Sequence, residues 1–167
     1  MAEKDKLFSS KIKYGGVFNF ADFYKFCYDW LKEEGGFEIV EDKYSEKLSG
    51  DAKSIDIEWT GTRSVTDYFK FESKVIFKIV GLTNVEVGDG NKKIKTNKGS
   101  VEIGIKGTLI RDPKGKFEKT WLEKFARGIY EKTVIPSRVD QMETKIKQDC
   151  DEFLAQAKAY LDLEGKR

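Results

Sequence analysis

Histidine is missing from this 167-residue chain, and cysteine occurs only at positions 27 and 150. The first absence removes Ser-His-Asp and Cys-His nucleophilic machinery. Together they remove the ordinary zinc sites, which need imidazoles or more than two thiolates. Glycine is plentiful, yet neither G-x-G-x-x-G nor G-x-x-x-x-G-K-[ST] occurs, so no glycine-rich loop cradles a nucleotide. Acid-base chemistry, if any, is left to carboxylates, Tyr, Lys and Arg. No metal and no cofactor are implied. Apolar runs long enough to cross a bilayer, about 20 residues, are also absent. The start (Met1, Ala2, Glu3, Lys4, Asp5, Lys6) lacks the apolar stretch of a secretory signal, so the expected location is cytoplasmic. In that setting Cys27 and Cys150, both on apolar faces of expected helices, read as reduced, buried thiols.

Charged residues make up 36% of the chain and apolar ones 39%, a balance that suits a folded domain better than disorder. One domain over 1–167 is expected, with 164–167 fraying and no linker, repeat or low-complexity tract. Residues 19–34 dominate the pattern: Phe20, Phe23, Tyr24, Phe26, Cys27, Tyr28, Trp30 and Leu31 fall within one short helix. They cover an arc of roughly 200°, about twice the stripe needed to dock on one core. Asn19 is a good N-cap, with Asp22 placed where the helix dipole favours negative charge. Phe18 and Phe23 have the spacing of a hydrophobic staple, and Gly35 and Gly36 end the helix.

Strand alternation occupies most of the remainder. It marks 7–14, then 37–48 as a charged edge strand, then Ile55, Ile57 and Trp59 with Gly61 on the same face. The strongest run places Phe69, Phe71, Ser73, Val75, Phe77 and Ile79 on one side, opposite Lys70, Glu72, Lys74 and Lys78. Val85, Val87, the turn at 88–91 and Ile94 predict a short hairpin, and Val101, Ile103, Ile105, Gly107 and Leu109 a further strand. A turn is expected at 112–115. A short helix follows, with Thr120 and Glu123 as its capping box and Leu122, Phe125, Ala126 and Ile129 on one face. Pro136 should end it. Ser137 would then cap a longer helix carrying Val139, Met142, Ile146, Cys150, Phe153, Leu154, Ala157 and Leu161.

The expected fold class is thus α+β, with an antiparallel sheet of about six strands packed against a long C-terminal helix, in the order β-α-β(5-6)-α-α. That order resembles the helix-grip arrangement of the START and Bet v1 superfamily, and the resemblance covers nearly the whole chain as element order. It implies a cavity between sheet and long helix that holds an apolar or amphipathic small molecule.

The residues offer three candidate sites. The first is the inner sheet face, where Trp59, Phe69, Phe71, Ser73, Phe77, Ile103, Ile105 and Gly107 would face Met142 and Ile146 of the long helix. An apolar wall broken by one hydroxyl and by glycines suits a ligand pocket, and equally suits a filled core. The second is the basic segment 92–119, in which Lys92, Lys93, Lys95 and Lys98 are candidate anion ligands. Only Phe117 is interleaved with its lysines, so stacking on single-stranded nucleic acid is disfavoured and a solvated face is the plainer account. The third is the surplus of the aromatic helix: Tyr24, Phe26 and Tyr28 would form an interface if the long helix lay elsewhere. Arg63, Asp67 and Tyr68 form a polar turn with some acid-base potential. The favoured expectation is a non-catalytic binding module for an apolar small molecule. A self-assembling structural protein is the alternative, a His-free cyclase or hydratase the third, and nucleic-acid binding comes last, as a partner the sequence disfavours.

Overall fold

The computed structural model describes residues 3–65, 69–88, 92–111 and 135–165. Five strands form one antiparallel sheet, and two helical elements cover one of its faces. The strands are β1 (Glu3–Phe18), β2 (Glu38–Ser49), β3 (Ala52–Ser64), β4 (Phe69–Val87) and β5 (Ile94–Arg111). Between β1 and β2 lies α1 (Phe20–Asp29), which continues as a wider π-helical turn over Trp30–Glu34. The chain closes with α2 (Ile135–Gly165).

The spatial order is β1-β5-β4-β3-β2. Strands β2 to β5 run as a meander, and β1 returns to pair with β5, so that Ile12 lies opposite Ile103. The two edges are therefore β1 and β2, which agrees with the charged pattern over 37–48. The fold is α+β as expected, but its sheet has five strands among the described residues rather than about six. The expected 85–94 hairpin is the far end of β4 and β5. Gly81 adopts φ +68°, and the register shifts between Val80 and Thr83. A bulge of this kind twists the pair without ending it, so one long hairpin replaces two short ones.

Period-two alternation makes the sheet two-faced. Ile55, Ile57 and Trp59 on β3, Phe69, Phe71, Ser73, Val75, Phe77 and Ile79 on β4, and Val101, Ile103, Ile105 and Leu109 on β5 are buried, while their described neighbours, Ile110 excepted, are not. From α2, Ile146, Cys150, Phe153, Leu154, Ala157 and Leu161 join the same core at helical spacing. Pro136 is the second residue of α2, within the stretch of a helix where a missing amide hydrogen is tolerated. Ser137 is thus inside the helix rather than its cap. Glu164 and Gly165 are still helical, which shortens the expected frayed end. The 112–115 turn, the capping box at 120–123 and the helix after it, residues 89–91, and Asp67 and Tyr68 lie outside the described residues.

The N-terminus of α1 is fastened twice. Asn19 Oδ1 accepts from the Asp22 amide at 3.0 Å, as its N-cap position requires. Asn97 Oδ1 accepts from the Phe20 amide, also at 3.0 Å, and its own amide nitrogen donates to Asn84 Oδ1 at 2.9 Å. The staple pair Phe18 and Phe23 meets edge to face at 6.0 Å. At the other end Gly36 takes φ +69°, the left-handed conformation that stops the helix.

Candidate site at the open end of the sheet–helix layer

The arc of rings on α1 is divided between two neighbours. Tyr24 and Tyr28 both meet Trp59 of the sheet edge to face, at 5.2 and 5.8 Å. Phe26 stacks on Tyr160 of α2 at 4.6 Å, and Trp30 meets Phe153 at 5.7 Å. Phe23 touches both layers, Phe77 at 6.3 Å and Tyr160 at 5.8 Å. Tyr24, Phe26 and Tyr28, named as interface candidates, are accordingly half-buried against the core. At the open margin of this cluster, Glu41 Oε2 accepts from Trp59 Nε1 at 3.0 Å and from the Tyr24 hydroxyl. Burial first, then the Glu41 carboxylate, pushes the Tyr24 phenol up to about 12.

The ten ligand candidates share one face but not one cavity. Trp59, Phe69, Phe71, Phe77, Ile103, Ile105 and Ile146 are packed in the core, and Met142 lies at its margin. The row Gly61–Ser73–Gly107 crosses three adjacent strands in register. It seats other groups. A Cβ on Gly107 would lie 3.0 Å from Cys150 Sγ and 3.2 Å from Ile146 Cγ1, and one on Gly61 would lie 3.1 Å from Ile39 Cδ1. Glycine at these positions lets α2 come down onto the sheet and lets the side chain of Ile39, the cross-strand partner of Gly61, lie over it. Between them Ser73 Oγ is fully buried, with no hydrogen-bond partner among the described residues. Such a hydroxyl has lost its water without compensation.

One inward-facing residue further along the sheet, the layer opens. Arg63, Ser64, Val65 and Phe71 on the sheet side and Gln141, Met142 and Lys145 on α2 line a cleft of about 450 Å³. Its accessible apolar surfaces are Val65 and Met142, with Phe71 buried behind the Arg63 guanidinium, and its cations are Arg63 and Lys145. Arg63 is held firmly. Its guanidinium lies over the rings of Phe37 and Phe71, at 5.0 and 4.9 Å, donates to the Gly35 carbonyl, and reaches Asp149 Oδ2 at 2.8 Å. Lys145 Nζ binds the other oxygen of Asp149 at 3.1 Å. Among the described residues, two cations thus share one carboxylate at the mouth.

Thiol chemistry has no foothold here. Cys150 is pushed up to about 12 by burial, with the Asp149 charge adding to the effect and Arg63 opposing it. Burial alone drives Cys27 well above the ordinary thiol range. Nucleophilic or ligating sulfur must be thiolate, which neither side chain is near neutral pH. The basic candidates lie apart from the cleft: Lys92 and Lys93 precede β5, and Lys95 and Lys98 are exposed on its first half. Lys95 lines a separate surface depression beside the N-terminus of α1. Among the described residues no cluster of three or more Cys, Asp or Glu side chains is arranged to hold a metal, and no helix is long and apolar enough to cross a membrane.

Of the residues here, the sequence points to Phe71 and Met142 but not to Lys145, Gln141 or the Arg63–Asp149 pair; Ser73 is buried and does not line the cleft. Arg63 and Asp149 are 86 residues apart, and no local pattern links them. No protein-family model matches the chain, and neither a curated protein nor a solved structure matches it.

Proposed function

We propose that this chain is a binding module of helix-grip type that takes an amphipathic small molecule at the cleft between the sheet and the first half of α2. The observation that carries the reading is the cleft itself: apolar walls of Val65 and Met142, with Phe71 buried behind them, beside a rim with two cations and one carboxylate. A pocket of a few hundred Å³ with apolar walls and a few placed polar groups is the usual form of a small-molecule site. The rim charge favours an anionic head, such as a carboxylate, with the apolar tail laid on Val65 and Met142. No catalytic step is assigned, because the titratable groups at the cleft are already paired and both thiols are buried.

Uptake of anilinonaphthalene sulfonate, displaced by decanoate, tests the reading. Displacement by decanoate is expected in the wild type. Met142→Trp should fill the cleft and abolish it, while Lys145→Glu should weaken decanoate by about fivefold, roughly 1 kcal/mol. Absence of uptake in the wild type, or binding that Met142→Trp leaves untouched, would remove the proposal.

A further inference from the structure

The opposite face of the sheet carries a second feature that the small-molecule reading does not use. On β1, Lys6, Lys11 and Lys13 point outward, and on β4 Lys74 and Lys78 do, with β5 between them contributing Lys106. The acids within this area are Glu72, beside Thr108, and Glu102, which is already engaged by Lys11 at 3.5 Å and Lys13 at 3.7 Å. Beyond β4 the face turns acidic, at Asp56 and Glu58 of β3, so the basic area is confined to three strands.

Two details set this area apart from an ordinary solvated face. Lys74 and Lys106 are direct cross-strand partners, and among the described residues neither takes part in an ion pair. Like charges directly opposite one another destabilise a sheet, so the unliganded protein tolerates a repulsion that a bound anion would relieve. The centre of the area is also hollow. Gly104 has no side chain, Ile76 forms a low floor beside it, and a depression of about 380 Å³ lies there, walled by Lys11, Lys74, Lys78 and Lys106, with the Lys11- and Lys13-bound Glu102 also in its lining.

We infer that this outer trough is a docking site for the phosphodiester backbone of duplex nucleic acid, bound through phosphates without base readout. The lysine walls extend over about 20 Å of strand, from Lys6 to Lys13, which exceeds a compact anion and matches three or four successive phosphates on one strand. Aromatic side chains are absent from these outward positions, so there is no platform for stacking unpaired bases. A flat lipid surface suits the trough less well, because its lysines surround a hollow with Ile76 at the bottom, and only Val80, beyond Lys78 on that row, is a well exposed apolar side chain. The residues concerned differ from the 92–98 lysines, and the site is on the other side of the sheet from the cleft, so the two proposals stand independently.

Fluorescence anisotropy with a labelled 20-base-pair duplex tests the assignment. Affinity should fall with salt with a log–log slope near −3.6, about 150-fold between 50 and 200 mM, as neutralisation of about four phosphates requires. Lys74→Gln with Lys106→Gln should bring the slope to about −2 while leaving the thermal midpoint unchanged or higher. Lys92→Gln with Lys93→Gln, placed elsewhere, should leave the slope unchanged. No binding of the duplex at 20 mM salt, a slope indifferent to the Lys74 and Lys106 pair, or uptake by vesicles of phosphatidylserine and phosphatidylcholine without duplex binding would each overturn it.

Discussion

Gly107 shows how closely single atoms govern the packing of α2 on the sheet. An added methyl would sit 3.0 Å from Cys150 Sγ, tighter than ordinary contact, and overfilling of this sort costs about 1–3 kcal/mol. Gly107→Ala is therefore expected to lower the urea midpoint, and Cys150→Ala in the same chain to restore part of the loss by vacating the clashing volume. Urea titration of the two single variants and the double variant measures the coupling directly. Tyr24 supplies a pH-dependent counterpart. Its phenol is shifted up to about 12 by burial and by Glu41, so the stability it contributes is fully present below the unfolded value near pH 10 and is lost as pH rises toward 12. Tyr24→Phe should cost about 1 kcal/mol at pH 8, and the gap should close by pH 12 when both proteins are compared in urea.

At the scale of elements, Arg63 does more than its position near the end of β3 suggests. It joins the end of the α1 segment through the Gly35 carbonyl, β2's approach through the Phe37 ring, and α2 through Asp149. A guanidinium can stack on two rings and donate in two directions at once, which an ammonium cannot. Arg63→Lys should accordingly destabilise the protein by about 1–3 kcal/mol, with Asp149→Asn costing less because Lys145 and Arg63 remain partly hydrated. Chemical denaturation checks both values, and a loss from Arg63→Lys below about 0.5 kcal/mol would show that the pin is incidental. The element reading from sequence succeeds where its physics is local. Asn19 and Gly36 bound α1 as their chemistry requires, and α2 shows its apolar face at the expected spacing. It fails at 80–94, because a glycine bulge and a strand end have the same local signature until the partner strand is known.

For the whole molecule, stability should decline from the centre of the sheet to the β2 edge. β4 and β5 are covered on their inner face by both helices, whereas along β2 almost every residue is exposed, including Val40 and Leu48. Amide hydrogen exchange is expected to be slowest in the middle of β4 and β5 and fastest in the outward-facing amides of β2. Uniform protection across all five strands would refute that ordering. The meander also hides its most distant contact: β1 closes on β5 with Ile12 opposite Ile103, a pairing no neighbouring residue announces.

The alternation of apolar and polar residues, the capped aromatic helix and the absence of histidine settled by themselves that this is an α+β chain with a one-sided core and without imidazole chemistry, because each depends on residues within a few positions of one another. Tertiary structure alone decided how the ring surplus is shared between Trp59 and Tyr160, where the layer opens at Phe71 and Met142, and that lysines from three strands surround Gly104. Those outcomes follow from strand order and helix placement, which bring together residues as far apart as Lys11 and Lys106, and side-chain periodicity carries no information about which strand will lie next to which.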